Sequence, residues 1–144
     1  MGQNQLFIII LSVVLVVVAI AVGVERFNSL TMDTNRDAVT ADLVNYGAKA
    51  QLYFRTSQML GGGSQNFQGF KLSPFENTNP NGDYRVTLTA PTGTAPVSSG
   101  GEIFVSATTI YIEGSGRRTG NDGTNPVKVY VTITENIITT TTLN

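Results

Sequence analysis

Two short runs in this sequence carry side chains in an order that could serve chemistry. Gly114-Ser115-Gly116-Arg117-Arg118-Thr119-Gly120 has the composition of a loop that cradles phosphate. Glycine lets backbone N–H groups approach an anion, and guanidinium groups neutralise it. The run lacks the Gly-Lys-Ser/Thr ending and no helical pattern follows it, so it reads as a turn between two strands. Asn121-Asp122-Gly123 offers oxygen ligands of the kind calcium takes, but with one carboxylate and without the spacing of the dedicated calcium loop it too reads as a turn. Arg117 and Arg118 read as solvated side chains rather than an anion or adhesion spot. The acids are scattered along the chain, and no pair is spaced to suggest general acid–base work.

Composition removes most other chemistry. Cysteine and histidine are both absent, which excludes disulfides, thiolate and imidazole metal ligands, an axial haem histidine and the Ser-His or Cys-His nucleophile pairs. Nine Lys plus Arg against ten Asp plus Glu give a net charge of -1, so no basic field exists to hold nucleic acid. Five Tyr and seven Phe without haem ligands are ordinary packing material. The expectation is a non-enzymatic chain with no catalytic, cofactor or metal site. No Asn-X-Ser/Thr sequon occurs, and the many Thr residues suit strands without any modification.

The elements are more informative than the motifs. No charge precedes Glu25. Residues 6–24 read LFIIILSVVLVVVAIAVGV, interrupted only by Ser12 and Gly23. At ~1.5 Å per residue they approach the ~30 Å thickness of a bilayer core. A cleaved secretory signal, for which Ala19-Ile20-Ala21 would supply the site, requires a basic start that is missing. A buried helix of a soluble core requires more protein around it than the rest of the chain provides. A helix apolar all round must be enclosed by lipid or by copies of itself.

From Glu25 to about Gln58 the pattern becomes amphipathic, with Val39, Leu43, Tyr46, Ala50 and Tyr53 on one helical stripe. Gly61-Gly62-Gly63-Ser64 ends it. The reading is one helix from about Gln5 to about Met59, with a soft point near Gly23 or Asn28-Ser29. Strands are expected where apolar and polar residues alternate. The first is residues 84–90, with Tyr84, Val86, Leu88 and Ala90 inward. The second is residues 103–113, with a slip near Thr108-Thr109. The third carries Val127, Val129, Val131 and Ile133 inward, with Lys128, Tyr130, Thr132 and Thr134 opposite. Residues 137–143 form a last strand or an extended tail. Turn residues at 79–82, 91–93, 98–101 and 114–126 separate them into an antiparallel meander.

The expected fold class is α+β: a long N-terminal helix, apolar then amphipathic, packed through its stripe on a small antiparallel sheet. The corresponding divisions are residues 1–25 as a transmembrane or filament-core helix, 26–60 as its amphipathic continuation, and 61–144 as the sheet head.

This order of parts resembles the type IV pilins and pseudopilins, with Met1-Gly2-Gln3-Asn4-Gln5 standing where the polar first residues of a mature pilin stand. The resemblance implies a structural subunit that sits in the inner membrane and is then extracted into an extracellular filament at the cell surface. It implies a homo-oligomer, handled by a prepilin peptidase and pilus assembly machinery. Leu6, Phe7, Ile8, Ile9, Ile10, Leu11, Val13, Val14, Leu15, Val16, Val17 and Val18 would form the filament core. Gln3, Asn4 and Gln5 would set subunit stagger.

Three departures accompany it. The family's fifth-position glutamate is Gln5 here, the family's C-terminal disulfide loop is absent, and the leader is not visible. Gly2 as the residue before a cleavage site would make Phe7 the fifth mature residue; otherwise an upstream leader has been removed or processing differs. A pseudopilin of a secretion apparatus, or a single-span membrane-anchored domain that binds a surface, are the alternatives.

Overall fold

The computed structural model describes residues 2–144. Helix α1 runs without a break over Gly2–Arg55, continuing through Gly23 and Asn28-Ser29. It starts three residues before and stops four before the expected bounds. The chain leaves it through a 3₁₀ turn at Gln58–Leu60, closed by Gly61 at φ 81°, a left-handed conformation that glycine adopts without a Cβ clash. A short helix α2 (Pro74–Asn77) precedes four strands: β1 (Gly82–Thr87), β2 (Ile110–Thr119), β3 (Pro126–Ile133) and β4 (Ile138–Thr142). They form one antiparallel sheet in the order β1-β2-β3-β4, the expected meander, and α1 packs across β2 and β3. The fold is α+β, as the sequence pattern implies.

Val127, Val129, Val131 and Ile133 are all fully buried on the helix side of β3. Val39, Leu43 and Ala50 meet the core from α1 with no exposure, while Tyr46 and Tyr53 are half-buried at its margin. Gly47 and Phe54 are buried as well. A Cβ on Gly47 would lie 3.1 Å from Ile138 Cδ1, so glycine lets β4 come close to the helix.

Three strand expectations need correction. The run at 114–120 is not a turn: Gly114, Ser115 and Gly116 continue β2, and the reversal lies at 120–125. Their small size serves packing. A Cβ on Gly114 would lie 2.8 Å from Val39 Cγ1 and 3.0 Å from the Tyr84 ring, and one on Gly116 would collide with Asn35. The glycines mark where α1 crosses the sheet most closely. The irregularity in β2 falls between Ser115 and Thr119, not near Thr108.

Second, β1 ends at Thr87, leaving Leu88 and Ala90 exposed rather than inward. The chain turns there to cross the outer face of the sheet. Lys128, on that face, is nonetheless buried: its Nζ lies 3.2 Å from Glu113 Oε2 and donates to the Ala95 carbonyl at 3.1 Å. The crossing segment returns to the β1 edge, where Val86 N–H donates to the Gly100 carbonyl at 2.9 Å.

Third, residues 103–109 are not in the sheet. Ile103 is buried, but its N–H donates to the Phe70 carbonyl at 3.1 Å and its carbonyl accepts from Gly69. Residues 66–72 and 102–107 thus cap the top of the core. Phe67 stacks on Phe54 with ring centroids 4.8 Å apart, and Phe70 on Tyr53 at 5.5 Å.

Candidate functional site

The feature that needs a functional explanation is the first half of α1. Residues 2–30 are exposed throughout. The large apolar side chains from Leu6 to Val24 range from 51% exposed at Val22 to 77% at Phe7, and the most apolar window has a mean hydropathy of 3.3. The helix is long and apolar enough to cross a membrane. The polar interruption is internally satisfied, because the Ser12 hydroxyl donates to the Ile8 carbonyl at 2.8 Å. That bond leaves no unmet donor in a dry environment. Gln3, Asn4 and Gln5 lie exposed on the first turn.

The apolar face does not stop at the first charges. Phe27 and Leu30 lie beyond Glu25 and Arg26, each 65% exposed. Further apolar side chains stand out from the far end of the head: Met59, Leu60, Phe75 and Phe104 are all more than three-quarters exposed. Phe104 and Leu72 line a groove of about 780 Å³ whose charged rim is already paired, Lys49 with Glu76 at 2.6 Å and Lys71 with Glu102 at 3.3 Å.

The second half of the helix is tied to the head by a set of polar clamps that sequence reading missed. Asp42 Oδ2 accepts from Tyr84 OH at 2.6 Å, Asn81 Nδ2 at 2.8 Å and Asn79 Nδ2 at 2.9 Å. One carboxylate thereby ties α1 to β1 and to the turn before it. Burial pushes the Asp42 carboxyl upward, but these three donors outweigh it and hold the group below the usual range. Burial and the adjacent Asp42 charge push the Tyr84 phenol well above the ordinary tyrosine range. Two turns earlier on the same helix face, Asn35 donates to the Asn81 carbonyl at 3.0 Å and accepts from the N–H groups of Arg117 at 2.8 Å and Arg118 at 3.0 Å. Asn35, Val39 and Asp42 follow steps of four and three, a helical stripe whose polar members gain meaning from the turn at 79–82, the start of β1 and the end of β2.

The Asp42 clamp has a pH consequence. A carboxyl whose folded pKa is depressed contributes stability above its unfolded value, near 4, and loses it as pH falls through the folded value. Unfolding monitored by circular dichroism should therefore show the head losing stability below about pH 4. Asp42→Asn should flatten that acid slope while lowering stability at neutral pH. An unchanged acid slope would remove Asp42 as a contributor.

The two motifs noted in the sequence have structural roles. Asp122 Oδ1 accepts from the N–H groups of Thr124 at 2.9 Å and Asn125 at 2.8 Å, an Asx turn that builds the β2–β3 reversal. These bonds, with Asn125 Nδ2 at 2.8 Å, hold its carboxyl well below the usual range. Arg117 is paired with Asp83 at 2.8 Å. No protein-family model, curated protein or solved structure matches this chain.

Proposed function

We propose that this chain is the structural subunit of an extracellular filament of the type IV pilin kind, in which the apolar halves of many α1 helices form the core and the sheet heads form the wall. The single observation that carries this is an unbroken Gly2–Arg55 helix whose first half is apolar and exposed all round while its second half is locked into the head. Such a half-helix must be enclosed, and the head encloses none of it. Before assembly the same segment would sit in a membrane; in the filament it would sit against its own copies. The chain would then be non-enzymatic, with other copies of itself and an assembly machinery as its partners.

A single-span anchor with a surface-binding head would need the same helix. One feature favours the filament. The clamps at Asn35 and Asp42 fix the head to the helix at two points, which a repeating lattice requires and a tethered binding domain does not. Removal of detergent from the purified chain, followed by negative-stain electron microscopy, tests the reading: filaments are expected, and amorphous aggregate or single particles would count against it.

Gln5 should register the helices by hydrogen bonding. An amide left unpaired in an apolar core costs about 1–3 kcal/mol, so in a filament it would find a backbone carbonyl, a neighbouring amide or a terminal amine. Gln5→Leu is expected to lower filament yield or alter helical rise, and Gln5→Glu to assemble only where an amine is within reach. Filaments of unchanged rise and stability from Gln5→Leu would remove the registering role.

A further inference from the structure

The head begins almost where the apolar stretch ends. No linker separates them, and Asn28, Thr31 and Met32 of the helix line a groove with Arg118, Gly120 and Asn121 of the head. Four residues from Val24 to Asn28 rise only ~6 Å along a helix. The headgroup layer outside a bilayer's hydrocarbon core is ~5–7 Å thick on each side. With residues 6–24 in hydrocarbon, the lower rim of the head lies at the level of the lipid headgroups.

The side chains on that rim suit this position. A second groove, about 600 Å³, lies between α1 and the head and is lined by Phe27, Leu30, Pro80, Arg117 and Arg118. Arg117 is occupied by Asp83. Arg118 is exposed, and among the described residues its guanidinium has no carboxylate at ion-pair distance; only its backbone N–H is used, by Asn35. Two acids nearby are otherwise placed: Asp122 accepts from its own turn, and Asp33 is paired with Arg36 at 2.7 Å. An exposed guanidinium beside apolar side chains at headgroup depth is the chemistry that binds lipid phosphate.

We infer that Arg118, with Phe27 and Leu30 in the same groove, seats the head on the phospholipid headgroups of the membrane that α1 crosses. The sheet packs on one side of α1, so leaning the helix toward that side lowers Arg118 onto the phosphates, and anchors of this kind set helix tilt. The seat would hold unassembled subunits in one orientation and would be given up on extraction. This inference rests on the reading that residues 6–24 occupy a bilayer before assembly.

The chain has no cysteine, so single reporters are clean. The full chain carrying Asn121→Cys, or Gln58→Cys at the far end of the head as a control, is labelled with a fluorophore. It is placed at one copy per nanodisc of phosphatidylcholine and phosphatidylglycerol with a nickel-chelating lipid as headgroup quencher. Strong quenching is expected at position 121 and little at 58. Arg118→Glu, which alters an exposed side chain, should lower the quenched population at 121 at least about fivefold, the factor that one basic residue near an anionic surface supplies. Equal quenching with and without Arg118→Glu would overturn the phosphate contact. Quenching at 121 no greater than at 58 in an inserted chain would overturn the seat while leaving the membrane reading intact. Quenching at 121 that needs two copies per disc would assign the rim to a second subunit instead, and failure to insert would remove both readings.

Discussion

Val16→Asp is expected to abolish filament formation while leaving the chain in the membrane. Val16 stands in the middle of residues 6–24 and is 57% exposed in the single chain, so its environment is whatever encloses the helix. Packed among copies, an unpaired carboxylate would be buried once per subunit, at an effective penalty of several kcal/mol each. A helical lattice repeats that penalty at every position. In a membrane the same change costs only about 3 kcal/mol on translocon-insertion scales, while each of the surrounding Leu, Ile, Phe and Val residues contributes about -0.3 to -0.6 kcal/mol. The two environments therefore separate. Membrane fractionation and sedimentation of assembled material measure them independently, with Val16→Leu as the assembling control. Normal filament yield from Val16→Asp would contradict a dry helical core.

Leu43→Ala should destabilise the head by roughly 2–5 kcal/mol, the range for truncating a fully buried leucine. Leu43 has no exposed surface and belongs to the cluster that joins α1 to β1, β2 and β3 through Val39, Tyr84, Ile112 and Val129. Val44, the next residue, is 41% exposed, and Val44→Ala should change stability by only about 0.5 kcal/mol. Chemical denaturation of both variants in the same detergent gives the difference directly. Equal effects would mean that the helix–sheet contact contributes little to holding the head together.

The parts of this fold that were legible in the sequence are those governed by a single local rule. Charge-free length marks α1, a step of four and three marks Val39, Leu43 and Ala50, and strict alternation marks β3. The parts that were not legible depend on a partner far along the chain. Gly114 and Gly116 look like turn residues because glycine usually is one; here they are strand residues, needed because α1 crosses β2 there. Leu88 and Ala90 keep the alternation of β1, but the chain has already left to cover Lys128 and Glu113. The polar clamps are the largest omission, since Asp42 on an amphipathic helix is indistinguishable from a solvated acid until the turn at 79–82 brings Asn79, Asn81 and Tyr84 to it. Phe67 and Phe70 carried a weaker signal: two aromatic residues three apart in a glycine-rich loop need somewhere to be buried, and the end of α1 supplies it.

The central claim is that the apolar half of α1 is covered by the same segment of other copies. A helical reconstruction of the purified assembly by electron cryo-microscopy tests it most directly, by the exposure and neighbours of residues 6–24. The expected map has these segments bundled along the filament axis, with Phe7 and Val16 buried against neighbouring helices and the sheet heads outside. Filaments in which residues 6–24 project into detergent or lipid, with heads alone in contact, would contradict it.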